Sequence, residues 1–164
     1  MINNQVSLND LKGSCGKFGS IQCDGSGAIA IYNVLKMMGK ENVDLDAIIS
    51  YLQTTHRFIF GGMGDLNPFC LRGALKNYGI KSKYYGTFRS IKQLANTSHK
   101  FIVYYYKNFD TYFQAGHLVK DKTGKVWIEM FNPFHRYSNL AQFKEFEGAR
   151  NIKLFIIEKD DRTS

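Results

Sequence analysis

A small hydroxyl-bearing residue, Ser26, ends the polar run Gln22-Cys23-Asp24-Gly25 and directly precedes an apolar-periodic stretch that starts at Gly27. A residue at a helix start sees the positive end of the helix and several unpaired N–H groups. Such groups can hold a developing oxyanion, and they lower the pKa of a thiol that stands there. His117 follows 91 residues later in Ala115-Gly116-His117-Leu118-Val119, and Asn132-Pro133 comes 15 residues after His117. A nucleophile position, an imidazole and an amide to orient it are the parts of a Cys-His-Asn hydrolase site. Gln22, four residues ahead of Ser26, offers a side-chain amide as a further oxyanion donor. The nucleophile position, however, carries a hydroxyl. Serine has no accessible anion at neutral pH, and a site built for a thiolate–imidazolium pair does not readily activate it. Each residue also has an ordinary local role: Ser26 as a helix cap, Gln22 in a loop, His117 in a strand, and Asn132 in a turn before proline.

The elements that must position these groups are legible from periodicity. Ile31, Val34, Leu35 and Met38 share one helical face, which predicts a helix over 27–38 closed by Gly39. Leu45, Ile48, Ile49 and Leu52 predict a second helix over 45–52. A third starts near Asn67-Pro68, with Asn as cap and Pro in the first turn, and ends at Gly79. The period then changes. Strands are expected over 81–85, 101–106, 116–120, 125–131 and 152–158, with short helices near 90–95 and 138–146. Asp121-Lys122-Thr123-Gly124 reads as a hairpin turn. With that turn, His117 opens one strand and Asn132 ends the next, so the two can meet across the pair. Helices first and a meander afterwards predict an α+β fold, one domain over 1–164, with the helical N-terminal half packed on a C-terminal antiparallel sheet.

Composition narrows the function classes. At 164 residues and 44% hydrophobic, the chain is large enough for a core of its own. No apolar run approaches the ~20 residues of a membrane span, and Met1 to Leu8 lacks the features of a secretory leader. A cytoplasmic location is therefore expected. Cys15, Cys23 and Cys70 are odd in number and irregular in spacing, which argues for reduced thiols. Without paired CxxC spacings no metal site or cofactor is expected, a meeting of Cys15, Cys23 and His56 being the remaining candidate. The net charge of +8 is scattered rather than blocked, and the aromatics fall in strand-like runs, so no nucleic-acid partner is expected.

These residues resemble the papain-like cysteine peptidases, in particular the bacteriocin-leader (double-glycine) processing group and its standalone relatives. That family has a Gln, a Cys-Gly that opens a helix, a His that opens a strand, and an Asp or Asn followed by Pro. Gln22, Ser26-Gly27, His117 and Asn132-Pro133 match that pattern, and the resemblance spans nearly the whole chain. It implies a papain-like fold with Ser26 at the nucleophile, His117 at the general base, Asn132 at the orienting residue and Gln22 at the oxyanion donor. The family Gln lies six residues before its Cys, whereas Gln22 lies four before Ser26. The activity implied is a thiol hydrolase that cleaves a peptide bond, with a cysteine at position 26 in the active form and this chain as a Cys-to-Ser inactive form. Glutamine deamidation and acyl transfer use the same triad. A catalytically silent module that binds a peptide or protein is the reading from a different class. The implied partner is a peptide or protein in a groove between helices and sheet. Gly61 and Gly62 would offer it backbone edge, and Gly116 would leave room beside the imidazole.

Overall fold

The computed structural model describes residues 1–3, 14–15, 19–20, 24–58, 65–85 and 100–158. Gln22, Cys23, Gly61, Gly62 and the helix expected near 90–95 lie outside the described residues. Strands β1 (Ser14–Cys15) and β2 (Gly19–Ser20) pair antiparallel ahead of helix α1 (Ser26–Met37). Ala28, Ile29, Ala30, Ile31, Val34 and Leu35 are all buried, so α1 is covered on nearly every side, as befits a helix apolar all round. Helix α2 (Leu45–Thr54) buries Leu45, Ile48, Ile49 and Leu52 at the expected spacing. Asp44 caps it by accepting the Asp46 N–H at 3.0 Å. Asn67 accepts the Phe69 N–H at 3.0 Å and opens a 3-10 turn over Pro68–Cys70, which leads into α3 (Leu71–Asn77).

The remaining elements are β3 (Ser82–Tyr85), β4 (Lys100–Lys107), β5 (Asp110–Lys120), β6 (Val126–Phe131), β7 (His135–Tyr137), α4 (Leu140–Glu147) and β8 (Arg150–Ile157). The six strands from β3 onward form an antiparallel sheet in the order β3-β8-β4-β5-β6-β7. One face, carrying Ile102, Phe113, Ala115, Phe155 and Ile157, packs on α1, α2 and α3. The other, carrying Phe101, Val103, Met130, Leu154 and Ile156, packs on Leu140 and Phe143 of α4. The fold is α+β with its helices concentrated in the N-terminal half, as the change of period predicts.

Two features differ from the sequence reading, and both bear on the site. β5 starts at Asp110 rather than Gly116, which sets His117 well inside a strand instead of at its opening. The cause is a two-residue hairpin at Asn108-Phe109, whose φ of 50° and 66° match the twist of the flanking strands. Phe109 is a bulky residue where such turns favour Gly or Asn, so the turn is silent in the sequence. The second feature is the pairing of β5 with β6. His117 stands opposite Glu129 and Ala115 opposite Phe131, which brings Gln114, not His117, level with Asn132.

Gly116 faces the α4 side. A Cβ on it would stand 2.6 Å from Met130 Sδ, 2.8 Å from the Glu129 carbonyl oxygen and 2.8 Å from the Phe101 ring. The space beside it is filled by core, not open to a ligand. Gly116→Ala is therefore expected to lower the unfolding free energy by about 1–3 kcal/mol in urea melts, as overpacking does. An unchanged midpoint would show that the sheet does not close over this glycine.

Candidate active site

Ser26 is the first residue of α1 and is 4% exposed. Gly25 at the cap position makes no side-chain bond, so the helix start needs an acceptor from elsewhere. Asp65 supplies it. Its Oδ1 accepts the Gly27 N–H at 2.9 Å and its own neighbour's N–H, that of Leu66, at 2.6 Å. Its Oδ2 accepts the Ser26 hydroxyl in a short hydrogen bond. Ser26 Oγ in turn accepts the backbone N–H of Phe113 at 2.9 Å. That N–H points toward β6, whose pairing with β5 ends at Ala115 opposite Phe131, so Ser26 satisfies a strand group that the sheet leaves open. The approach is tight: a Cβ on Gly27 would meet the Leu66 Cβ at 2.4 Å, so only glycine fits there.

His117 lies four residues beyond Phe113 on β5, which is about 13 Å along the strand at the usual rise. Its Nε2 is 2.8 Å from Glu129 Oε2, the residue directly opposite on β6. Glu129 Oε1 also accepts from the Arg136 guanidinium on β7, including a 3.1 Å bond from Nε. Burial alone pushes the Glu129 carboxyl up, and the bonds from His117 and Arg136 outweigh it and hold the group below its ordinary value. The ring of Phe131 meets the imidazole edge-on at 5.4 Å between centroids.

Among the described candidates the structure gives Ser26 and His117 separate partners. Ser26 Oγ meets Asp65 and the Phe113 N–H, and His117, four residues further along β5, meets Glu129. Asn132 is buried, adopts a φ of 73°, and accepts at its carbonyl from Gln114 Nε2 at 3.0 Å, so the neighbour of its backbone is Gln114. The β5 residue whose backbone N–H meets the helix start is Phe113, whose side chain is a buried ring with no proton to exchange. Cys70 is a free, half-buried thiol in the 3-10 turn, and no cluster of His, Cys, Asp or Glu among the described residues could hold a metal ion. No helix among them is long and apolar enough to cross a membrane.

The sequence matches no protein-family model and no curated protein. Its shape does find counterparts. The peptidase domain of Streptococcus ComA, a bifunctional ABC transporter of a quorum-sensing pathway, aligns with a TM-score of 0.58 at 11% identity, over 82% of this chain and 91% of that one. A double-glycine-motif protease from an AMS/PCAT transporter, solved in complex with its leader peptide, aligns with a TM-score of 0.57 at 16% identity, over 90% and 91%. The fold is that of the papain-like double-glycine peptidases. Within this fold, Asp65 takes the Gly27 N–H of the first turn of α1.

Asp65, Phe113 and Glu129 are the residues the sequence reading missed. Asp65 follows the glycine-rich segment and precedes Leu66-Asn67-Pro68, and nothing in that local pattern ties it to a helix start 39 positions earlier. Burial pushes its carboxyl up to about 7, against the opposing bonds from Ser26, Leu66 and Gly27 and with a further push from Asp24. The native state therefore keeps a proton that the unfolded chain releases above pH 3.8. Unfolding free energy is accordingly highest below about pH 4 for this group. It falls as pH rises toward 7, by on the order of 4 kcal/mol, and then levels. Asp65→Asn is expected to remove that segment of the slope in denaturant melts run from pH 4 to pH 8. Parallel curves for the two proteins would refute the assignment.

Proposed function

We propose that this chain is a papain-like peptide-binding domain that holds an extended peptide without cleaving it. The observation that carries the reading is the Ser26 hydroxyl, buried between the Asp65 carboxyl and the N–H of Phe113, which precedes His117 on β5 by four residues. A working nucleophile must reach its substrate and must have a base within hydrogen-bond distance. Ser26 has neither exposure nor an imidazole beside it. The His117 ring is committed to Glu129, which supports a structural role for the His117-Glu129-Arg136 group. Peptide as ligand is supported by the shared fold, one of whose solved examples holds a leader peptide. The cysteine peptidase, deamidase and acyltransferase readings all require a proton relay at position 26.

Ser26→Cys tests this directly. The variant is expected to react slowly with iodoacetamide at pH 5, at a rate that His117→Ala leaves unchanged within twofold. A synthetic leader-type peptide ending in Gly-Gly is expected to bind in calorimetry and to be recovered intact by mass spectrometry. Rapid alkylation at pH 5 that His117→Ala abolishes, or cleavage of the peptide by the cysteine variant, would restore the thiol peptidase. Ammonia release from a glutamine-containing peptide would point to deamidation instead.

A further inference from the structure

Asn33 lies seven residues after Ser26 on α1, hence on the same face and about 10 Å along the axis. It is fully buried in a helix whose neighbouring residues are apolar. A buried amide is costly unless both its ends are paired, and asparagine is a poor residue for a helix interior. An aliphatic residue would serve this core better. What Asn33 gains is a pair of bonds to both main-chain groups of one residue: its Oδ1 accepts the Ile2 N–H at 2.8 Å, and its Nδ2 donates to the Ile2 carbonyl at 2.9 Å. The next residue continues the contact, with the Asn3 carbonyl accepting the Phe134 N–H at 3.0 Å. Ile2 packs its side chain on the core between helices and sheet.

Ile2 and Asn3 therefore bridge α1 to the turn after Asn132-Pro133, on the sheet face that carries Phe113, Phe131 and His117. All three polar bonds go to main-chain groups of the segment. They would read any residue in an extended conformation, and the one side-chain preference comes from the apolar seat under Ile2. We infer that Asn33 and the Phe134 N–H form a peptide-backbone binding site, taking extended peptides with an aliphatic residue at the position of Ile2, and that the chain's own Ile2 and Asn3 occupy it as a built-in competitor. This inference rests on the peptide-binding role proposed above and supplies its recognition groups. Among the described residues the contact is three hydrogen bonds and one side chain, a grip for which a longer peptide can exchange. Being tethered, the segment competes at a high effective concentration.

The test uses a fluorescein-labelled synthetic hexapeptide with the sequence of residues 1–6 and reads anisotropy. A variant lacking residues 1–3 is expected to bind it at least tenfold more tightly than the intact chain. Adding Asn33→Leu to the deletion is expected to weaken binding at least tenfold while holding or raising the melting temperature, since leucine suits the buried position. A hexapeptide with Asp in place of Ile is expected to bind at least tenfold more weakly. If the deletion variant expresses poorly, Ile2→Asp in the intact chain serves in its place and should open the site in the same way. Equal binding by intact and opened chains, no binding by a folded opened chain, or binding indifferent to Asn33→Leu would each overturn the site. A hexapeptide that binds but is recovered cut would leave the site standing and overturn the silent reading. A leader-type peptide that binds while the hexapeptide does not would do the reverse.

Discussion

The carboxyl of Asp65 is the group on which the architecture of the site depends. It closes the start of α1, fixes the Ser26 hydroxyl, and through that hydroxyl ties the helix to β5 at Phe113. A helix start without a local cap is a place where an anion is welcome. In this chain that place is taken by an internal carboxyl that burial pushes up to about 7. The same feature explains why Gly27 has no side chain, since residues 65–66 come within van der Waals reach of the helix backbone.

Much of the framework was legible from residue order. The span of α1, the apolar face of α2, the Asn67 cap, the Asp121–Gly124 turn and the shift from helical to alternating patterning all read directly, because each is a local consequence of side-chain periodicity and turn chemistry. The site was not legible in the same way. Its geometry depends on which strand residues stand level with one another, and that was set by a hairpin at Asn108-Phe109 whose aromatic residue carries none of the usual turn signals. Six residues were thereby added to the front of β5, and His117 moved from a strand opening to a strand interior. The motif Gly-His followed by Asn-Pro was present in the sequence, but its two halves face different partners.

Ser26 illustrates the same limit. Its type and place predicted either a cap or a nucleophile, and the structure gives it a third role as a link between the distant Asp65 carboxyl and a strand N–H. No local rule reaches Asp65, because the pairing spans 39 residues and passes through a glycine-rich segment. His117 likewise finds its partner by cross-strand position. Glu129 faces it directly and is itself held by Arg136, so three residues from three adjacent strands form one polar row.

The described sheet ends on one side in the four-residue β3 and on the other in the three-residue β7. Edges this brief give an incoming chain little length for strand addition, and they also guard against edge-to-edge association of neighbouring molecules. A visitor in extended form would then have to lie across the broad surface of the molecule, gripped by individual amides instead of by a continuous ladder.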